Sequence, residues 1–245
     1  MEEKIAIIAL PFAGGCSNSY ATLKRLTPEP FEWMNIEIPG RGSRINELSI
    51  PDIDSVCDDI LCQIVKTVKT CKYMFYGHGM GAVLGYELTR RIQLANLPLP
   101  ASLYFTGQVA PSVVTTNKIS HLDKQEFWDE IRGLGGISDS LFEDQELIDL
   151  FEPTIRADYW SLDHYEYKPL AERLAVPIFI RTGEFDSKIS VGKVDMWQEE
   201  TLYPLDWDIY PGGHFFIFDD CFSIIEDLTE SLEIAKTMSF AYKRY

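Results

Sequence analysis

Residues 77–81 read Gly-His-Gly-Met-Gly, between an apolar run and a helical pattern. A Gly-x-Ser-x-Gly turn in that setting lifts a serine hydroxyl clear of the backbone for attack on an acyl carbon. Here the frame is intact and the serine position holds Gly79. Two further groups follow in chain order. Arg181-Thr182-Gly183-Glu184-Phe185-Asp186 places a carboxylate after an apolar run, and Tyr210-Pro211-Gly212-Gly213-His214 places an imidazole after another. Nucleophile position, acid, histidine is a triad order for acyl transfer. In it Asp186 fixes the imidazole tautomer and steadies its cation, and His214 is the general base. Each residue alone reads as a solvated loop side chain; the shared order and placement carry the reading. The stretch Leu10-Pro11-Phe12-Ala13-Gly14-Gly15 follows the first apolar run, and its small residues allow backbone N–H groups to face a ligand. Alone that loop reads as an ordinary glycine turn; in an acyl-transfer enzyme it would supply half of an oxyanion hole, and the Met80 N–H at a helix start the other half.

These groups need strands ending at one edge. Ile5–Leu10, Trp33–Ile38, Tyr73–Tyr76, Ser102–Phe105, Pro177–Arg181 and Trp207–Tyr210 read as strands. Ile53, Val56, Ile60, Ile64 and Val68 recur at helical spacing, with Asp52 or Asp54 as N-cap. Leu84, Leu88 and Ile92 repeat the pattern after the glycine turn, where Gly81 and Gly85 let the helix approach the sheet. Ile224, Leu228, Leu232 and Ile234 suggest a closing helix. Strands alternating with helices predict an α/β fold: a mostly parallel central sheet with helices on both faces. With the triad order, that is the α/β-hydrolase fold, expected as a single domain over 1–245.

One segment breaks the alternation. Residues 112–167 show no strand pattern but several helical stretches, among them Asp123–Arg132 and Glu143–Phe151. It reads as an inserted helical lid. Phe127, Trp128, Leu141, Phe142, Phe151, Tyr159, Trp160 and Tyr165 within it either pack the lid onto the body or line an acyl channel. His78 reads as a packing or hydrogen-bonding residue; His121 and His164 read as solvated or structural.

Net charge is −16, from 22 basic and 38 acidic residues. That argues against nucleic-acid and anionic-membrane partners, which call for a basic surface. No apolar run is long enough for a transmembrane helix. The start, Met1-Glu2-Glu3-Lys4, lacks the positive excess of a signal peptide, so the first apolar run reads as a buried strand. Cys16, Cys57, Cys62, Cys71 and Cys221 form no paired spacing, which fits a reducing, cytoplasmic setting. With four histidines and no Cys-x-x-Cys, no metal and no cofactor are expected. Cys16 and Ser17 lie near the oxyanion loop but not on an elbow, so neither is promoted to nucleophile.

The chain resembles the type II thioesterases of nonribosomal peptide and polyketide synthase systems. The likeness runs nearly end to end: Leu10 to Gly15; Pro39-Gly40-Arg41-Gly42 with Arg44 and Glu47; Gly77 to Ala82; Leu134-Gly135-Gly136; Pro153, Arg156, Ala157 and Asp158; and Gly213-His214-Phe215-Phe216. The resemblance implies an editing enzyme, monomeric and cytoplasmic, that hydrolyses acyl groups from the phosphopantetheine arm of acyl or peptidyl carrier domains. It also implies Asp186 and His214 as triad acid and base, with Ala13 and Met80 as oxyanion donors. Gly79 departs from the family serine. Either the serine has been replaced, leaving an inactivated variant, or the chain is a natural variant that uses activated water or only binds its carrier. A general small-molecule esterase scaffold is a further alternative. An acidic protein gains no bulk steering towards acidic carriers; docking is expected on an apolar patch with a basic spot such as Lys24, Arg25, Arg41 or Arg44.

Overall fold

In the computed structural model, residues 4–113, 118–137 and 139–242 are described. Met1–Glu3 of the leader reading, and residues 114–117 and 138 of the expected lid, lie outside that set. Strands β1 (Ile5–Leu10), β2 (Phe31–Asn35), β3 (Lys72–His78), β4 (Leu103–Thr106), β5 (Ile178–Gly183) and β6 (Asp206–Tyr210) form one six-stranded sheet, in the order β2-β1-β3-β4-β5-β6. Every pairing is parallel. All carboxyl ends therefore open on one edge, where the loops after β1, β3, β5 and β6 meet.

Period-two alternation distributes the strand side chains between two cores. Ile8, Leu10, Phe75, Phe105, Ile178 and Ile180 pack on one face with α2 (Ile53–Thr70) and α3 (Met80–Leu94). Ile7, Ala9, Met74, Tyr76, Tyr104 and Phe179 pack on the other with Leu23 of α1 (Ala21–Leu26) and Ile224, Leu228 and Leu232. In α2 the spaced residues Ile53, Val56, Ile60, Ile64 and Val68 are all buried, each contributing about 1.5–3 kcal/mol. Asp52 caps it, accepting the Ser55 N–H at 2.7 Å.

Between β4 and β5 stand α4 (Lys124–Leu134), α5 (Asp139–Phe142) and α6 (Gln145–Asp163). Phe127, Trp128, Ile131, Ile148 and Ile155 give these helices their own small core. Several element ends differ from the sequence reading, and α6 runs to Asp163 rather than Phe151. Strand β2 spans Phe31–Asn35 rather than Trp33–Ile38, although Ile36 and Ile38 are buried; their apolar character answers to burial, not to the strand ladder. Helix α3 begins at Met80, directly after the turn.

The turn is fixed by close backbone packing. A Cβ at Gly77 would lie 2.3 Å from the Gly81 carbonyl carbon, and one at Gly81 would lie 2.5 Å from the Leu10 carbonyl oxygen. Neither neighbour is a side-chain end that can swing away. Gly81→Ala is therefore expected to destabilise by about 1–3 kcal/mol, despite alanine's better helix propensity. Gly133, near the end of α4, has nothing within 4 Å of such a Cβ, so Gly133→Ala should stabilise by about 0.4–1 kcal/mol. Urea unfolding of both variants checks the pair.

Candidate active site

Gly79 joins β3 to α3 with φ +52° and ψ −115°, a conformation that strains any residue with a side chain. A Cβ built there meets one atom within 4 Å: Nε2 of His214, at 3.6 Å. The other ring nitrogen of His214, Nδ1, is 2.7 Å from Oδ2 of Asp186, whose side chain is fully buried. An ionised carboxylate only accepts, so Nδ1 carries the proton and Nε2 presents its lone pair towards Gly79.

Backbone bonds set that spacing. The acid loop is tied to the histidine loop by Phe185 N–H to the Gly212 carbonyl at 2.9 Å, and to the end of β6 by Glu184 N–H to Tyr210 at 2.8 Å. Gly183 packs so tightly that a Cβ would lie 2.2 Å from the Gly213 carbonyl oxygen. The other oxygen of Asp186 accepts the Lys188 N–H at 2.9 Å.

Gly79, Met80, Ala13 and His214 share the wall of a cavity of about 280 Å³. Val83, Val109, Ala110, Val113, Leu162 and Ile189 make most of its surface apolar, and Lys188 and Lys193 stand along it. Among the described residues, no group accepts a hydrogen bond from the Ala13 or Met80 N–H. From residues 112–167, Ile119, Leu134, Tyr159, Leu162 and Tyr165 reach the cavity. Phe127 and Trp128 are buried in the helical core instead, and Trp160 and Phe151 are exposed. Among the described residues, no group of three His, Cys, Asp or Glu side chains is arranged to hold a metal ion.

The thioesterase domain family model matches residues 6–232. The chain belongs to the thioesterase family. It is 27% identical over 232 residues to the gramicidin S biosynthesis protein GrsT of Aneurinibacillus migulanus, spanning 94% of this chain and 90% of GrsT. The type II thioesterase BorB of the borrelidin biosynthetic cluster is 30% identical, with a TM-score of 0.85 and coverage of 95% and 94% of the two chains. ClbQ of the colibactin NRPS/PKS pathway is 26% identical, with a TM-score of 0.88 and coverage of 95% and 99%. These neighbours carry the same α/β-hydrolase fold.

One feature of this thioesterase had no local sequence signal. Arg41 and Asp158, 5% and 2% exposed, form a bidentate ion pair at 2.6 Å on both arms. Asp158 also accepts the Gly14 N–H at 2.7 Å, and Arg41 donates to the Gly15 carbonyl at 3.1 Å. The pair thus clamps helix α6 to the Ala13 loop. Two of the four cations named for a basic spot are already engaged. Arg41 is spent in this pair, and Arg44 is held by Glu47 and Asp59 at 2.6 and 2.7 Å. Among the four cations named, Lys24 and Arg25 remain, both in the last turn of α1. Asp158→Asn leaves the Arg41 charge buried without its counter-ion. It should destabilise the fold by about 3–5 kcal/mol, read from chemical unfolding.

His78, completely buried, makes a 2.9 Å hydrogen bond to the Thr106 hydroxyl, and its ring centre lies 4.7 Å from that of His214. His121 and His164 are exposed, the latter stacked on Trp160. Burial, and then the neighbouring His214, hold His78 well below the ordinary histidine value of 6.5. The folded state keeps this ring neutral while the unfolded chain protonates it, so stability rises with pH below that value and is lost on acidification. Between pH 6.5 and 5 the melting temperature should fall. His78→Gln should flatten that part of the curve.

Proposed function

We propose that this thioesterase acts on acyl groups carried on the phosphopantetheine arm of carrier domains, as a type II, editing member of its family. The observation that carries the reading is the line from Asp186 Oδ2, 2.7 Å to His214 Nδ1, then from Nε2, 3.6 Å to the Cβ position of residue 79. In a serine member of the family that line ends in a nucleophile. In this reading His214 is the general base and Asp186 its orienting partner, with the Ala13 and Met80 N–H groups receiving the developing oxyanion. The apolar cavity takes the acyl chain, and the segment 112–167 serves as its cover. Lys188 is paired with Glu130 at 2.6 Å, so Lys193 is the freer cation along the cavity.

Gly79 removes the acyl-serine route. Turnover by this chain is therefore expected to be strongly impaired, with carrier binding retained. The same glycine also supports a second reading, in which the chain is a carrier-binding module that holds an acyl group without cleaving it. Names of the related proteins, GrsT among them, place them in peptide and polyketide biosynthesis, and that supports a carrier partner over a free ester. No helix among the described residues is long and apolar enough to cross a membrane.

Gly79→Ser tests the proposal. The introduced hydroxyl falls beside Nε2, and loss of the serine in a related chemistry costs about 10⁶ in turnover, so thioesterase activity should rise by several decades. The strained turn should lower stability by about 1–3 kcal/mol, seen as a lower melting temperature. Hydrolysis of a short acyl thioester, on a carrier and as a free ester, is compared for both forms. A folded Gly79→Ser protein inert on every thioester leaves the binding module in its place. Equal preference for carrier-bound and free esters points to a general esterase.

A further inference from the structure

Position 79 faces a base and no other atom: a Cβ there would have Nε2 of His214 at 3.6 Å and nothing else within 4 Å. The space belongs to the same cavity as the Ala13 and Met80 backbone. Among the described residues, no hydroxyl or thiol is hydrogen-bonded to Nε2 of His214. The hydroxyls along the cavity, among the described residues, are those of Ser190, Tyr159 and Tyr165. Ser190 is exposed. Tyr165 donates to Glu87 at 2.7 Å. Burial pushes the Tyr159 phenol up, away from the phenolate. Cys16 and Ser17 do not line the cavity, and the Ser17 hydroxyl is turned to Glu37 at 2.8 Å. Polar groups able to hold a small oxygen species are nonetheless at hand. Nε2 is an acceptor, and the Gln108 side chain spans to the Gly79 carbonyl at 3.5 Å along the same wall. A bound water needs two or more such partners.

We propose that in this chain water itself is the attacking nucleophile, seated where the side chain of residue 79 would be and activated by His214, so that thioesters are hydrolysed in one displacement with no acyl-enzyme. This rests on the carrier-thioester reading above. His214 Nε2 takes a proton from the water as its oxygen bonds to the thioester carbonyl carbon. The carbonyl electron pair moves onto oxygen, facing the Ala13 and Met80 N–H groups. When the carbonyl re-forms, the C–S bond breaks with its electron pair on sulfur, and the imidazolium returns its proton to that thiolate. Thioester and water give carboxylic acid and thiol. No redox partner is needed, and Asp186 stays ionised throughout. Glycine makes this possible because any side chain at 79 would fill the approach to Nε2.

The test uses the chain as it stands, a carrier domain loaded with a short acyl phosphopantetheine, and the same carrier bearing a non-hydrolysable amide analogue. Slow release of free acid should exceed the rate with His214→Ala by about 10²–10⁴-fold, the usual worth of a positioned general base. His214→Gln, closer in size, guards against a folding defect and should lose the same activity, with a normal melting curve. Intact-protein mass measurement during turnover should find no acyl adduct, whereas Gly79→Ser, run beside it, should accumulate one. An acyl adduct on the unmodified chain overturns the proposal, because another side chain is then the nucleophile. Release no faster than in His214→Ala, with the amide-loaded carrier still bound, overturns the proposal and leaves the carrier reading standing. Failure to bind the loaded carrier, together with an inert Gly79→Ser, overturns both.

Discussion

The contact on which the site depends is the passage of the β3–α3 turn against the end of β1. Gly81 lies so close to the Leu10 carbonyl, and Gly77 so close to Gly81, that no side chain fits at either place. This forces the chain to reverse sharply at residue 79, with positive φ, and start a helix at once. The reversal aims residue 79 outward at the carboxyl edge and puts the first N–H groups of α3 beside it. It also brings the loop after β1 alongside, so the Ala13 and Met80 backbone face one cavity. Parallel pairing of β4, β5 and β6 then delivers the acid and histidine loops to the same edge.

A second constraint acts from the far side of the cavity. Asp158 sits in α6, between β4 and β5, yet its carboxylate holds both Arg41 and the Gly14 N–H. Thr154, one turn earlier, donates to the Gly40 carbonyl at 2.9 Å. The helices between β4 and β5 are therefore not attached only at their ends. Along α6 they are fastened to the loop that presents Ala13, whereas α4 and α5 pack mainly on α6 through Phe127, Trp128, Ile148 and their neighbours. Any opening of the cavity that keeps this ion pair leaves α6 in place and moves the elements in front of it. An opening that separates the pair and leaves either charge buried without its partner costs about 3–5 kcal/mol.

The order Gly79, Asp186, His214 was legible because each lies directly after a strand, and strand ends are marked locally by apolar runs meeting glycine. Helix α2 was legible for a similar reason: five buried positions repeat at helical spacing, and a capping aspartate precedes them. The Arg41–Asp158 pair was not. Its members are 117 residues apart, and no local period relates them, so Arg41 reads as surface charge, whereas it is buried. The end of β2 failed for another reason. Ile36 and Ile38 are buried, and an apolar run reports burial without saying whether the backbone still belongs to a ladder. Val109, Ala110, Val113 and Ile189, which line the cavity, carry no signal of their own at all. They are apolar loop residues whose role is set only by where β4 and β5 end.

What remains beside Gly79 bears on why a chain would keep this architecture without a serine. A buried carboxylate has value at this place only if the imidazole it orients is used or its charge is otherwise satisfied. The Asp186 carboxylate makes two hydrogen bonds among the described residues, to the His214 ring and to the Lys188 N–H. If the site served only to hold an acyl chain, the apolar walls would suffice, and an aspartate–histidine pair set against them would be a desolvation cost with no return in binding. The pair is instead held at hydrogen-bond distance by a backbone weave that leaves Gly183 no room for a side chain. That geometry, with Nε2 directed into the cavity, is what supports the proposed role of His214 as a base.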